Sequence, residues 1–312
     1  MRSKVKVDFD SVVLEAEKKE QIKAAMAQLK HHDTIFNKWG FGKIFEKGTA
    51  ISMIFYGIPG TGKTLMAQAI ANKLKQELLV VSSAEIETQV PGGAERNIKR
   101  MFKIGSGEMA GPTGKVNKNT GEAVPGKVQK HVLLFDECDS LITNRNNVGM
   151  LLAAQINTIL SELEQFTGVV IFTTNRIEAL DEAIERRLNA KVEFEFPNEK
   201  LRKKIWARMI PAEAPIDPDV DFDELAKFEV TGGTIKNIVL NAARQAAYEG
   251  KTKIDLDCFL DNVKKEVESN KTFKKAIDSR DFSKRRRPGH DIEKGDDGML
   301  RVKRTKTKTN GK

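Results

Sequence analysis

Residues 57–64 read Gly57-Ile58-Pro59-Gly60-Thr61-Gly62-Lys63-Thr64, and no other stretch constrains the fold as tightly. The run before it, Ile51-Ser52-Met53-Ile54-Phe55-Tyr56, is short, apolar and β-prone. The run after it, Leu65 to Glu77, has helical spacing, with Leu65, Ala69, Leu74 and Leu78 on one broad face. Strand, glycine loop and helix in that order form the context a phosphate-binding loop requires. Glycines let backbone N–H groups converge on phosphate oxygens, and the helix N-terminus adds partial positive charge. Lys63 would reach the β and γ phosphates, and the Thr64 hydroxyl would ligate Mg²⁺. A nucleotide is the expected ligand.

A second chemical stretch is His131-Val132-Leu133-Leu134-Phe135-Asp136-Glu137, a buried-strand pattern ending in two carboxylates. Asp136 is expected to hold Mg²⁺ through its water shell, and Glu137 to orient or deprotonate an attacking water. The plainer alternative is a helix start, which acidic residues also favour. A third strand pattern, Gly168 to Thr174, delivers Asn175 to the sheet edge where ligands bind in open parallel sheets. The run Leu180 to Leu188 ends in Arg186-Arg187. That pair is either an ordinary solvated helix end or a set of guanidinium fingers for a neighbouring subunit's γ-phosphate.

In this order, the loop, Phe135-Asp136-Glu137-Cys138-Asp139-Ser140-Leu141, Thr173-Thr174-Asn175 and Leu180 to Arg187 resemble the AAA+ ATPases. Within them the chain is most similar to the classical AAA branch of membrane-protease, proteasomal and filament-severing motors, over roughly residues 8–265. The resemblance implies an α/β fold: a five-stranded parallel sheet of order 5-1-4-3-2 with helices on both faces, followed by a small helical lid. It makes Gly57 to Thr64 the Walker A loop, Asp136 and Glu137 Walker B, and Asn175 sensor 1. ATP with Mg²⁺ is the implied cofactor. Gly57, Pro59, Gly60, Thr61, Gly62, Lys63, Thr64, Leu65, Asp136 and Gly233 are its implied contacts, with Thr64 and Asp136 at the metal. Glu137, Asn175, Arg186 and Arg187 are the implied catalytic set, and Arg145 matches an arginine often found at the subunit boundary. Fingers acting in trans imply a ring, usually a hexamer, working on an unknown protein client.

Strand-like runs near 51–56, 78–83, 131–135, 169–174 and 191–196 alternate with helical patterns, as an α/β domain requires. After Phe196-Pro197-Asn198 the pattern is helical over Glu199–Ile210, Asp221–Lys227, Thr234–Tyr248 and Leu256–Val267. The expected division is a leading segment 1–45, a nucleotide-binding domain 46–197, a lid 198–270 and a tail 271–312. The leading helix is expected over Asp10 to Leu29, with Val12-Val13-Leu14 resembling the adenine-contacting segment. In the lid, Thr231-Gly232-Gly233-Thr234 resembles the branch's glycine motif, without a sensor-2 arginine, and Lys236 is read as solvated.

Two departures from the family pattern concern the task of the engine. The place of the first pore loop holds Val90-Pro91-Gly92, lacking the aromatic that would grip a threaded polypeptide. An extra stretch, Gly105 to Lys130, precedes the second chemical strand; it reads as a β-hairpin or as a tolerated surface loop.

Charge is unevenly placed. Residues 271–312 carry 15 Lys/Arg against 6 Asp/Glu, the whole of the net +9, so the first 270 residues are neutral. That tail reads as disordered. It is either solvated with weak polyanion affinity or a nucleic-acid contact, which keeps a DNA- or RNA-associated loader as the alternative function. No apolar run reaches the ~20 residues that cross a bilayer, so no membrane partner is expected. Met1 to Lys6 shows no signal-peptide pattern, and the two cysteines, Cys138 and Cys258, form no disulfide framework. The expected location is cytoplasmic and reducing. Cys138 reads as a small buried residue whose alkylation would probe access to the site.

Overall fold

A computed structural model describes residues 7–44, 50–86, 88, 90–110, 112–116, 123–125, 128–144, 149–279, 290–294 and 300–304. They fall into two compact units, Met1–Leu260 and Asp261–Lys312. In chain order the strands are β1 (Ile51–Tyr56), β2 (Glu77–Val81), β3 (Pro112–Val116), β4 (Ala123–Pro125), β5 (His131–Phe135), β6 (Val169–Thr174), β7 (Ala190–Glu193), β8 (His290–Lys294) and β9 (Leu300–Arg304). The α-helices are α1 (Ala16–Lys30), α2 (Lys63–Lys73), α3 (Ser83–Ile86), α4 (Gly93–Ser106), α5 (Met150–Gln165), α6 (Glu182–Glu185), α7 (Glu199–Met209), α8 (Phe222–Ala226), α9 (Gly232–Tyr248) and α10 (Leu256–Ser279).

The central sheet is all-parallel with order β2-β5-β6-β1-β7. Numbering only its five strands along the chain, that order is 5-1-4-3-2, as the resemblance implies. Strands β1, β5 and β6 are mostly apolar and buried almost throughout because helices cover both faces, which is why they show no polar alternation. The two-residue pleat instead divides them between two cores. Ile54, Leu133, Phe135, Val170 and Phe172 meet Ile98 and Phe102 of α4 and Ile156, Ile159 and Leu163 of α5. Met53, Phe55, Val132, Leu134 and Ile171 meet Ile22 of α1 and Met66, Ala67 and Ile70 of α2. Each such fully buried side chain contributes about 1.5–3 kcal/mol, so the face assignment of every strand is strongly determined.

Several expected boundaries move, each for a local reason. The helix expected from Leu65 to Glu77 stops at Lys73, because Lys75 adopts φ 55 and Glu77 opens β2. Leu65 is exposed, and Leu78 packs from the strand. The leading helix starts at Ala16, not Asp10. Asp8 ties the Asp10 N–H and, through its carbonyl, Ser11 into a turn that drives Phe9 and Val12 into the core. In the extra stretch, α4 continues to Ser106, since Gly105 lies flat against Leu133 where a Cβ would sit 2.7 Å from the side chain. Beyond it, β3 and β4 form an antiparallel two-stranded sheet of their own, the hairpin alternative.

In the second unit, β8 and β9 pair antiparallel within the segment expected to be disordered. Their register sets Asp291 opposite Lys303, Ile292 opposite Val302 and Glu293 opposite Arg301.

Candidate functional site

The phosphate-loop sequence leaves β1 at its C-terminal end and enters α2, with Gly62 (φ 101) as the residue before the helix. Gly57 is obligatory at its place. Its φ is 132, and a Cβ there would lie 2.3 Å from the Phe194 carbonyl oxygen, so only glycine lets the loop turn beside the chain that follows β7. The loop borders a cleft of about 640 Å³. Pro59, Gly60, Thr61, Gly62, Lys63, Thr64 and Leu65 line it, together with Asp136, Glu137, Asn175 and Gly233. Gly57 is not among its lining residues. Arg186 and Arg187 are not among its lining residues.

The polar groups at the floor form one connected network. Lys63 Nζ donates to the carbonyls of Gly57 (2.7 Å) and Ile58 (3.0 Å) and to Asn175 Oδ1 (2.8 Å). Burial holds this ammonium below the ordinary lysine range, against the pull of Asp136, Asp139 and Glu137. Thr64 Oγ1 donates to Asp136 Oδ1 at 3.0 Å. The same carboxylate oxygen accepts from the buried Thr173 hydroxyl at 2.6 Å, and that hydroxyl in turn accepts from the Glu137 N–H at 2.8 Å. Glu137 has φ 50, a left-handed conformation that a non-glycine residue keeps only when its surroundings impose it.

Two contributors were missed by sequence reasoning as site residues. Thr173 couples Asp136 to the Glu137 backbone, and Asp139 accepts from the Thr174 hydroxyl and from the Asn175 N–H at 3.1 Å. Both lie in the quoted motifs, but only strand pairing of β5 with β6 shows what they join. The far wall adds Ser11, Val12 and Val13 before α1, and Ile205, Arg208 and Met209 on α7. Leu14 packs against the core. Lys236 is exposed yet borders the cleft.

The lid motif touches the loop directly. Thr231 caps α9 by accepting from the Thr234 N–H, and the Gly233 N–H donates to the Gly60 carbonyl at 2.8 Å. Gly60 has φ 80, and a Cβ there would meet Thr231 Oγ1 at 2.7 Å.

The arginines are held elsewhere. Asp181, itself buried, caps α6 by accepting from the Ala183 N–H at 2.9 Å and sets the following turn. Arg187 donates to the Ala183 carbonyl and pairs with Glu164, while Arg186 is exposed and 3.5 Å from Glu182. Arg145 lies outside the described residues. Cys138 is 1% exposed, and burial pushes its thiol well up from the usual range. It is therefore a structural residue, and its suggested use as an alkylation probe of site access is corrected: the thiolate that would react is suppressed.

Magnesium favours hydroxyl, carboxylate and water oxygens, and the donors at this floor are a hydroxyl and a carboxylate already within 3.2 Å of each other. A glycine loop with a buried lysine beside them supplies groups suited to phosphate. The residues fit a magnesium nucleoside triphosphate, and the fold around them is that of a P-loop ATPase domain with ATP and Mg²⁺ as cofactors. Residues 53–196 match the family model "ATPase family associated with various cellular activities (AAA)". The chain carries an AAA+ ATPase domain of the classical branch.

Among its relatives is a putative cell division cycle ATPase of Plasmodium falciparum, 31% identical over 243 residues, covering 75% of this chain and 18% of the relative. The vesicular-fusion protein SEC18 of Candida albicans is 30% identical over 217 residues, 64% of this chain and 26% of the relative. A probable 26S proteasome regulatory subunit 4 of Caenorhabditis elegans is 29% identical over 220 residues, 66% of this chain and 45% of the relative. The chain thus spans less than half the length of each of these curated relatives. Among the described residues, no helix is long and apolar enough to cross a membrane.

Proposed function

We propose that this protein hydrolyses ATP and couples the reaction, as a ring and usually a hexamer, to remodelling or disassembly of a protein client in the cytoplasm. The observation that carries the reading is the left-handed Glu137, whose N–H is bound by the hydroxyl that also binds Asp136. Strain of this kind is kept where a side chain must be aimed. ATP would supply the scissile phosphoanhydride bond, and Mg²⁺ would offset charge on its oxygens. The loop from Gly57 to Leu65 and Gly233 would hold the phosphates, with Thr64 and Asp136 at the metal. Lys63 Nζ would exchange its loop carbonyls for phosphate oxygens. Glu137 would take a proton from the attacking water at its carboxylate, and Asn175, positioned by Asp139, would orient that water.

Arg186 and Arg187 sit on the turn after α6, outside their own cleft, which suits fingers reaching a neighbouring subunit. Pro197 would join the sheet domain to the lid. Exposed Val90 in place of an aromatic favours disassembly over sustained threading, and the basic residues 271–312 would add a weak nucleic-acid contact. The test is Glu137→Gln. It should bind ATP with unchanged affinity and lose turnover; hydrolysis at the wild-type rate would overturn the assignment.

A further inference from the structure

Helix α4 turns Ala94, Ile98, Phe102 and Gly105 toward the core. On its opposite side, every fully exposed residue of the helix is a cation: Arg96, Lys99, Arg100 and Lys103. Their spacing of three and four residues makes a single stripe about 10 Å long. Like charges so spaced on a helix repel one another. Some surface cations elsewhere have acids beside them, as in Lys23 with Glu20 at 2.7 Å and Lys203 with Asp223 at 2.6 Å. Among the described residues, none of the four on α4 has an ion-pair partner. Glu95 flanks the stripe, and Glu162 faces it from α5. Burial pushes the Glu162 carboxyl up more than Lys99 and Lys103 pull it down.

Cationic character continues past the helix. A Cβ on Gly107 would lie 3.1 Å from the Gln129–Lys130 backbone, so the hairpin segment returns at the end of α4, and Lys130 there is exposed.

We propose that the outer face of α4 binds the phosphate backbone of a nucleic acid. An acidic protein would be expected to meet an apolar or aromatic centre with charges at its rim, and lysine is depleted from such centres. The α4 stripe has no exposed apolar residue. Phosphate backbones, by contrast, are bound by Lys and Arg rows with no apolar centre. The site is independent of the ATPase reading and of the basic residues 271–312.

The experiment is fluorescence anisotropy of labelled oligothymidylate with the full chain, comparing wild type with Lys99→Gln/Arg100→Gln/Lys103→Gln. All three positions are solvent-exposed, so melting temperature and basal ATPase should not change. Wild-type affinity should fall steeply between about 50 and 200 mM salt. The variant should bind at least tenfold more weakly at low salt, with a log–log salt slope smaller by about 2. Identical affinity and slope would overturn the proposal by assigning all binding to other cations, and absence of wild-type binding would also overturn it. Polyglutamate displacing the probe as well as unlabelled oligothymidylate would overturn it in favour of an acidic polypeptide. Should the triple variant unfold, Arg100→Gln alone should lower the slope by about 0.7, and an unchanged slope refutes the proposal.

Discussion

Replacing Thr173 by valine tests the geometry of the proposed hydrolytic site while leaving the phosphate loop and Lys63 unchanged. Valine preserves the shape of this buried residue and removes its hydroxyl. Two bonds disappear: the one donated to Asp136 at 2.6 Å and the one accepted from the Glu137 N–H at 2.8 Å. A hydrogen bond to a charged group contributes about 1.5–3 kcal/mol and a neutral one about 1 kcal/mol. Glu137 at φ 50 also stores about 1–2 kcal/mol relative to right-handed backbone, so it has a driving force to relax once released. A loss of about 2–3 kcal/mol confined to the hydrolytic state lowers kcat roughly 30- to 160-fold. Nucleotide affinity, carried by the loop and Lys63, should stay within a few-fold. Steady-state ATPase at saturating Mg-ATP, a nucleotide titration and a thermal melt of the full chain measure all three. Thr173→Ser, which restores the hydroxyl, should recover most of the rate. A folded Thr173→Val enzyme with wild-type kcat would refute the reasoning, as would a serine variant as impaired as the valine one.

Three further outcomes are expected. Arg187→Ala should keep ATP binding and lose hydrolysis, and mixing it with Lys63→Ala should recover part of the rate; a mixture no faster than the separate variants would remove the trans-finger role. Gly60→Ala places a Cβ at φ 80 against Thr231 Oγ1, so it should cost about 1–2 kcal/mol of stability and weaken nucleotide binding, read by melting and titration. Cys138 should resist alkylation in mildly alkaline buffer until the protein is denatured, as mass spectrometry of the labelled peptide would show; rapid native labelling would contradict its burial.

How much was legible depends on how local the chemistry is. Loop, lysine and hydroxyl are adjacent in the chain and would work through backbone geometry, so residues 57–64 can be read as a phosphate loop unaided. The apolar runs of β1, β5 and β6 likewise announced strands covered on both faces. Strand order came from the resemblance, since no property of a single strand names its neighbours. Boundaries slipped where one residue decided them, as Lys75 did by turning left-handed after α2.

By itself, the sequence determined the loop, the chemistry available to it and the family pattern around it, because each follows from residue types at short spacing. Only the tertiary structure decided how Asp136, Glu137 and Asn175 are aimed, through partners 36 or 37 positions away that the pairing of β5 with β6 brings within hydrogen-bond range. It also decided which side of α4 faces water. Four cations at helical spacing are visible in the chain, but that none of them forms an ion pair among the described residues is a property of packing. Burial of Cys138 is another such property, because a thiol's reactivity is set by what surrounds it in space.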